Sequence, residues 1–318
     1  MRILVLGAGG TGGYFGGRLA QAGVDVTFLV RPARAAQLVR DGLRIRSALG
    51  DAQLPVSHIT ADALPALAAR APFDLVLLSC KAYDLDSAIE AIAPAVGIGT
   101  TVLPILNGLL HYAALDARFG ADAVLGGLCF ISAVKGEDGE VVHLPSPPSM
   151  TFGERDAGRN GSARTRALQA VCASARGFDG VCSDAFMQAA WNKFTFLAAL
   201  AAATCLMRAS IGRIVAADGG AAFLAALHDE CLAVAAAQGH AVPGEAAQQA
   251  RALLTRPGST VTASMLRDLE AGQEVEAGQI VGDMLTRARR AGHASPQLEA
   301  AWIHLQCYRS RRATPDTP

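Results

Sequence analysis

Lys193 is the residue whose type and setting most directly indicate acid–base chemistry in this 318-residue chain. Lysine occurs only at positions 81, 135 and 193, and every other basic residue except the histidines is arginine. A lysine can be desolvated and can transfer a proton, which an arginine in practice cannot. Trp191 and Phe194 flank Lys193, and apolar surroundings lower the pKa of a lysine. From these neighbours alone, Lys193 is either a proton donor or a lysine at a domain edge whose ammonium group reaches solvent.

A glycine-rich segment near the start of the chain indicates a nucleotide site. It follows the apolar run Arg2–Leu6, a predicted strand, and it opens a predicted helix, which is the context of a dinucleotide-binding GxGxxG loop. Such a loop lets the backbone approach a pyrophosphate, and the N-terminus of the helix attracts the phosphates. The alternative is a turn that binds no ligand. The predicted cofactor-binding residues of this loop are Gly7, Ala8, Gly9, Gly10, Thr11 and Gly12.

The end of the second predicted strand, Val24–Val30, bears on the type of dinucleotide. NAD sites usually place an acidic residue there to hold the ribose 2′-hydroxyl. This chain instead has Arg31, followed by Arg34, and an arginine can pair with a 2′-phosphate. The pattern therefore favours NADP(H) over NAD, unless both arginines belong to a solvated surface.

Bulk composition excludes several classes of protein. The chain is 51% hydrophobic and 18% charged, as ordinary globular proteins are. Its formal net charge of zero offers no basic surface to nucleic acid or to an anionic membrane. The longest apolar run, Phe194–Met207, is short for a bilayer span and is interpreted as a buried helix. No spacing of metal ligands is recognisable, no signal peptide is apparent, and a cytoplasmic protein without a metal site is expected.

Alternation of apolar strands with helical segments predicts an α/β fold whose first domain, residues 1–181, is a doubly wound Rossmann-type sheet. Strands after Phe130 are expected to complete that sheet. From Ser183 onward the pattern is helical, which predicts an all-helical second domain over residues 182–308 and a flexible tail over 309–318. Further strands of the first domain are predicted at Leu43–Ile45, Leu54–Ile59, Leu75–Ser79, Thr101–Ile105 and Ala123–Phe130.

Several short motifs occur in a particular order along the chain. After the glycine loop they are Ser79-Cys80-Lys81, Leu106-Asn107-Gly108, Phe152-Gly153-Glu154, Trp191-Asn192-Lys193, Ser264-Met265-Leu266-Arg267-Asp268-Leu269, and Glu276 followed by Gly282 and Pro296. With these motifs the chain resembles the ketopantoate reductase (2-dehydropantoate 2-reductase) family over most of its length.

The resemblance implies an NADP-dependent oxidoreductase that reduces ketopantoate to pantoate in pantothenate biosynthesis. It implies that Lys81 contacts the cofactor near the adenine ribose or its phosphate, and that Asn107 lies beside both the nicotinamide and the substrate. It also implies that Lys193 donates a proton to the ketone oxygen, that Ser264 binds the substrate carboxylate, and that Glu276 orients a substrate hydroxyl or the lysine.

The chain departs from the family pattern around the substrate. Four and eight residues after the catalytic lysine the family has asparagines, whereas this chain has Leu197 and Ala201. Gly278 and Val281 stand where the family has an acidic residue and an asparagine. Thr204 returns to the same helical face and is expected to replace part of the lost polarity. Leu197, Ala201 and Thr204 are therefore predicted to line the substrate site.

Three functions are compatible with these residues. The first is reduction of ketopantoate, and the second is oxidoreduction of a more apolar 2-oxo or β-hydroxy acid on the same fold. The third is a regulator that binds NADP without catalysis. In each of the first two the partner is a small acid rather than nucleic acid or membrane, and the apolar helices favour a homodimer.

Overall fold

The computed structural model describes residues 1–313, and the chain divides into two compact units. The first unit contains Met1–Leu106 and His111–Phe186. The second joins the short segment Asn107–Leu110 to the chain from Met187 onward. Asn107 thus groups with the helical part of the chain, although it directly follows the strands in sequence.

The change of unit comes after Phe186, somewhat beyond the predicted boundary at 181/182. The last strand of the first unit continues to Cys182. Beyond it, the Phe186 ring lies edge-on to Tyr112, with ring centroids 6.4 Å apart. Phe186 is therefore held by the apolar core of the first unit, which a composition pattern could not indicate.

Strands occur throughout the first unit. They are β1 (Arg2–Leu6), β2 (Asp25–Leu29), β3 (Leu43–Arg46), β4 (Ala52–Leu54), β5 (Ser57–Ile59), β6 (Leu75–Leu78), β7 (Thr101–Pro104), β8 (Gly126–Phe130), β9 (Ala133–Lys135), β10 (Val141–His143), β11 (Ser149–Gly153) and β12 (Asp179–Cys182). The helices of this unit are α1 (Gly10–Gln21), α2 (Pro32–Asp41), α3 (Leu64–Arg70), α4 (Leu85–Ile92), α5 (His111–Phe119) and α6 (Ala163–Ser174).

A parallel five-stranded sheet with the order β5-β2-β1-β6-β7 forms the centre of this unit. Every residue of β6 and β7 is buried, so both faces of these strands are covered. Runs of apolar residues without alternation form such strands because neither face meets water. The predicted α/β fold with a Rossmann-type sheet is confirmed.

The strands after Phe130 do not complete this sheet as predicted. They form two smaller sheets, β4-β3-β10-β9 and β12-β11-β8. A turn at Gly139, where φ is +83°, folds β9 and β10 into an antiparallel pair, and β10 then pairs with β3. The predicted strand Leu54–Ile59 is also divided, because Pro55 cannot donate a ladder hydrogen bond; β4 joins a small sheet and β5 the edge of the central one.

The second unit is helical, as predicted. Its helices are α7 (Phe186–Met207), α8 (Ile211–Ala216), α9 (Gly220–Ala237), α10 (Gly244–Leu254), α11 (Ser264–Glu270), α12 (Asp283–Arg290) and α13 (Pro296–Ala313), with a π-helical turn at Gly278–Gly282 before α12.

Helices α7 and α9 are each long and apolar enough to cross a membrane by length and composition alone. The core helix of a soluble protein passes the same test. In α7, 67% of the most apolar stretch is buried inside the protein, and its small residues Ala198, Ala201 and Ala202 have no exposed surface. The helix begins at Phe186, well before the apolar run that the sequence made visible.

The predicted flexible tail at 309–318 begins inside α13, which continues to Ala313. Arg309 and Arg312 each form an ion pair with Glu274, at 3.2 and 2.6 Å, and Arg312 also donates to the carbonyl of Gly272. These contacts hold the last turns of the helix. Residues 314–318 lie outside the described residues.

Candidate active site

The glycine loop between β1 and α1 has the geometry of a phosphate-binding turn. Gly7 adopts φ = +86°, a conformation that favours glycine. Its N–H donates to the carbonyl of Leu29 at 2.9 Å, which ties the loop to the end of β2. A Cβ at Gly12 would meet the carbonyl of Gly7 at 2.6 Å and the hydroxyl of Ser79, so this glycine permits close packing of helix on strand.

The start of α1 suits a bound pyrophosphate. A Cβ placed at Gly9 would find no heavy atom within 4 Å, so the loop backbone is open on that side. Among residues 1–313 no side chain caps this helix, so its first N–H groups are open to a ligand or to water. The residues present therefore fit a dinucleotide at this loop.

Residues from two different loops meet beside it. Strand β1 lies between β2 and β6 in the parallel sheet, so the carboxyl ends of β2 and β6 flank the glycine loop. Arg31 follows β2, and Lys81 follows β6 before a 3₁₀ turn that ends at Asp84. Nη2 of Arg31 lies 3.8 Å from Oδ1 of Asp84. The sequence has no acid at the end of β2. The carboxylate near Arg31 is instead that of Asp84, which belongs to the loop after β6.

Arg34 supports the loop. Its Nε donates to the carbonyl of Ala8 at 3.1 Å, and its Nη1 donates to Gln37 at 3.2 Å. Burial, and secondly the neighbouring positive charge of Arg44, lower the pKa of Arg34 from its usual value. The Nε of Arg34 is therefore engaged by the backbone of the glycine loop.

Lys193 and Asn107 are brought together within the helical unit. Nζ of Lys193 donates to Oδ1 of Asn107 at 3.2 Å. Lys193 is partly exposed, whereas Trp191 and Phe194 beside it are each only 2% exposed. The Lys193 side chain thus lies beside buried aromatic residues, and its amine has a hydrogen-bond acceptor in Asn107.

The position of Asn107 depends on the glycine after it. Gly108 adopts φ = +80°, and a Cβ there would collide with the backbone carbonyl of Gln279 in the π-helical turn. The Asn-Gly pair is therefore a turn, and its tight packing against Gly278–Gly282 holds Asn107 where Lys193 reaches it.

Ser264 and Glu276 lie on separate elements. Ser264 is partly exposed at the first position of α11, which ends at Glu270. Gly272, with φ = +69°, marks the break in the chain, and Glu276 is buried, at 5% exposure, just before the π-helical turn. A single continuous helix could not have presented both side chains on one face.

The three positions predicted to line the substrate along α7 have different surroundings. Leu197 is partly exposed, but Ala201 and Thr204 have no exposed surface. The hydroxyl of Thr204 donates to the carbonyl of Leu200 at 2.7 Å and accepts from the N–H of Ala263 at 3.4 Å. Thr204 is therefore a core residue whose hydroxyl serves the backbone, and Ala201 is sealed beside it.

Sequence inspection missed a cluster that holds the start of α7. The Trp191 ring stacks on His240 with centroids 5.5 Å apart, and the Arg287 guanidinium lies 5.3 Å from the Trp191 ring centroid. Arg287 also pairs with the buried Asp283 at 3.0 Å, whose pKa is raised by burial against the opposing effect of Arg287. These residues come from segments distant in sequence, so no local pattern links them to Lys193.

Comparison with known proteins identifies the family. The family model described as ketopantoate reductase PanE/ApbA matches residues 3–157, and the model of its C-terminal domain matches residues 185–308. The chain is 35% identical over 314 residues to the uncharacterized oxidoreductase YkpB of Bacillus subtilis (strain 168), covering 98% of this chain and 100% of that protein.

Solved structures agree with these matches. The 2-dehydropantoate 2-reductase of Geobacter metallireducens GS-15 is similar with 31% identity and a TM-score of 0.84, covering 96% of this chain and 99% of that chain. D-mandelate dehydrogenase with NADH and anilino(oxo)acetate shares the fold with a TM-score of 0.86, covering 99% of this chain and 100% of that chain, at 18% identity. Because the two family models together span most of its length, the chain belongs to the ketopantoate reductase family.

Proposed function

We propose that this protein reduces a small 2-oxo acid with NADPH, and that ketopantoate is its leading candidate substrate. The observation that carries the proposal is the 3.2 Å hydrogen bond between Lys193 and Asn107. It joins the expected proton donor to the amide that the family resemblance assigns to the nicotinamide and the substrate. Membership of the family and the open glycine loop support the same activity.

The residues proposed to bind the cofactor belong to the first unit. The loop Gly7–Gly12 and the N-terminus of α1 hold the pyrophosphate, and Lys81 contacts the adenine ribose or its phosphate. Arg31, with 83% of its side chain exposed, is available to a 2′-phosphate and supports NADPH over NADH. When bound, NADPH supplies the hydride that the carbonyl carbon receives.

A residue of this chain supplies the proton that the reduction of the carbonyl group requires. As negative charge develops on the carbonyl oxygen, the Lys193 ammonium donates a proton to it, and the product is a 2-hydroxy acid. Such a positioned acid typically contributes about 10²–10⁴-fold in rate. Asn107 accepts a hydrogen bond from the Lys193 amine, which helps to fix the amine for proton transfer.

Substrate binding is assigned to Ser264, which binds the carboxylate, and to Glu276, which orients a substrate hydroxyl or the lysine. A buried carboxylate such as Glu276 needs polar partners, and a substrate hydroxyl can be one of them. Thr204 is not included in this site, because its hydroxyl is already bonded to the backbone.

A second candidate substrate is a 2-oxo acid with a plain branched chain. Leu197 favours it, because this partly exposed side chain stands where the family has an asparagine. An apolar substituent packed there gains about 0.8 kcal/mol for each buried CH₂ group, whereas a buried hydroxyl without a partner costs about 1–3 kcal/mol.

The test is turnover of NADPH with a panel of 2-oxo acids that includes ketopantoate and its deoxy analogue, 2-oxo-3,3-dimethylbutanoate. A preference for ketopantoate supports the first substrate, and a preference for the analogue supports the second. Binding of NADPH without turnover of any acid would contradict catalysis and favour a regulator. The homodimer remains a prediction, which light scattering on the purified protein tests, and the cytoplasmic location remains one as well.

A further inference from the structure

A carboxylate faces the arginine assigned to the 2′-phosphate. Nη2 of Arg31 and Oδ1 of Asp84 are 3.8 Å apart, and the two side chains are 83% and 40% exposed. An ion pair this exposed contributes little to folding. Because both side chains are exposed, a nucleotide that binds across the ends of β2 and β6 can contact the two groups.

The turn after β6 holds Asp84 in this position. Its backbone N–H donates to the carbonyl of Lys81 at 2.9 Å, and its own carbonyl accepts from the hydroxyl of Ser87 at 2.9 Å. Lys81, which is assigned to the adenine ribose or its phosphate, belongs to the same turn. The acid is therefore placed at the ribose end of the predicted cofactor site.

The two cofactors would meet this pair differently. The 2′-phosphate of NADPH must compete with the Asp84 carboxylate for the guanidinium of Arg31, and it is repelled by that carboxylate as a like charge. The 2′-hydroxyl of NADH carries no charge and can donate a hydrogen bond to a carboxylate, as it does at acidic residues in NAD sites.

We propose that Asp84 is a cofactor-specificity residue, which restrains the preference for NADPH that Arg31 creates and admits NADH to the same site. This inference rests on the proposed function, because it concerns the cofactor of that reaction. Arg31 alone would select strongly for the phosphorylated ribose. With Asp84 opposite, the site accepts both cofactors and prefers NADPH only moderately.

The experiment measures binding of NADPH and NADH to the full-length protein by nucleotide fluorescence, for the wild type and for Asp84→Asn. The substitution removes the charge and keeps the shape of the side chain. We expect the ratio of the NADH dissociation constant to the NADPH dissociation constant to rise about three- to tenfold. The rise should shrink at high salt, because both groups are exposed and screened.

Asp86→Asn is the matched control, since Asp86 is exposed at the first turn of α4 and its loss changes net charge equally. In Asp86→Asn the ratio of the NADH to the NADPH dissociation constant should change by less than about twofold. Asp84→Ser provides a second uncharged variant should the first fail to fold. An unchanged or lower ratio in the folded Asp84 variant, or an equal rise in the control, would overturn the inference.

Failure of the proposed function is recognised separately. If the wild type binds neither nucleotide, the proposed function and this inference both fail. If it binds both but reduces no 2-oxo acid, only the proposed function fails, because the cofactor ratio is read from binding.

Discussion

The amine of Lys193 lies 3.2 Å from the side-chain oxygen of Asn107, although 86 positions separate the two residues in sequence. One belongs to a long apolar helix and the other to a turn at the end of a strand, and both are part of the helical unit. The pairing predicts that Lys193 acts as a held proton donor rather than as a mobile surface charge.

Lys193→Ala should lower kcat by about 10²–10⁴-fold, the usual contribution of a positioned acid. Lys193→Arg should fail to restore the rate, because arginine does not give up its proton near neutral pH. Lys135→Ala, at an exposed position of β9, serves as the control and should retain activity. Steady-state kinetics with NADPH checks this prediction, and near-normal turnover by the Ala variant would contradict it.

Arg31→Ala should weaken the binding of NADPH far more than that of NADH, because only NADPH carries the 2′-phosphate. Fluorescence titration of both nucleotides measures the difference. Arg40→Ala, at an exposed arginine of α2, is a control for the loss of positive charge. Equal losses for both nucleotides in the Arg31 variant would remove Arg31 from the 2′-phosphate site.

Leu197→Asn should shift preference toward ketopantoate, because it restores a polar side chain at a partly exposed position of α7. Relieving an unsatisfied hydroxyl is worth about 1–3 kcal/mol, or roughly 5- to 150-fold in relative kcat/KM against the deoxy analogue. Ala201→Asn should instead destabilise the protein, since Ala201 has no exposed surface. If Leu197→Asn leaves the substrate ratio unchanged, this position does not face the substrate.

Arg287→Met should lower the free energy of unfolding by roughly 1–3 kcal/mol near neutral pH, because it leaves the carboxylate of Asp283 without its guanidinium. The range is modest since the Arg287 side chain is 22% exposed. Burial raises the pKa of Asp283, so the folded state binds its proton at higher pH than the unfolded state does. The deficit should therefore shrink as pH falls and the carboxyl is neutralised.

Urea unfolding at neutral and at mildly acidic pH measures this deficit. The double variant Asp283→Asn with Arg287→Met removes both charges, and it should recover part of the lost stability. A deficit that grows on acidification would contradict the assignment.

His228 should make the protein less stable in acid. The side chain has no exposed surface, and neither ring nitrogen has a hydrogen-bond partner among the described residues. Burial, followed by the charge of Arg251, lowers the pKa of His228 to about 4. The unfolded state therefore takes up a proton near its ordinary pKa while the folded state does not, and stability falls as pH drops below about 6.5 toward about 4.

His228→Leu should remove roughly 1–2 kcal/mol of this loss between about pH 8 and about pH 5. His293→Ala, at an exposed histidine, should leave the pH dependence unchanged. Urea unfolding across this pH range gives the free energy of unfolding at each pH. The same dependence of this free energy on pH in the wild type and in His228→Leu would contradict the prediction.

Some features of this protein could be predicted from the sequence because they depend only on residues close together in the chain. The glycine loop depends on backbone conformations that neighbouring residues decide, so Gly7–Gly12 could be identified between a strand and a helix. The fold class followed from the spacing of apolar residues. The family resemblance named Lys193, Asn107, Ser264 and Glu276, because each belongs to a short motif.

The features that the sequence could not predict depend on contacts between segments that are distant in the chain. The order of strands in the sheet brings Asp84 to Arg31, and only that order supplies an acid which the end of β2 lacks. Helical spacing put Leu197 and Thr204 on one face of α7, but it cannot say where along the helix that face enters the core. Thr204 is buried and its hydroxyl donates to the carbonyl of Leu200, which sequence could not show because exclusion from solvent is a property of the packed elements together.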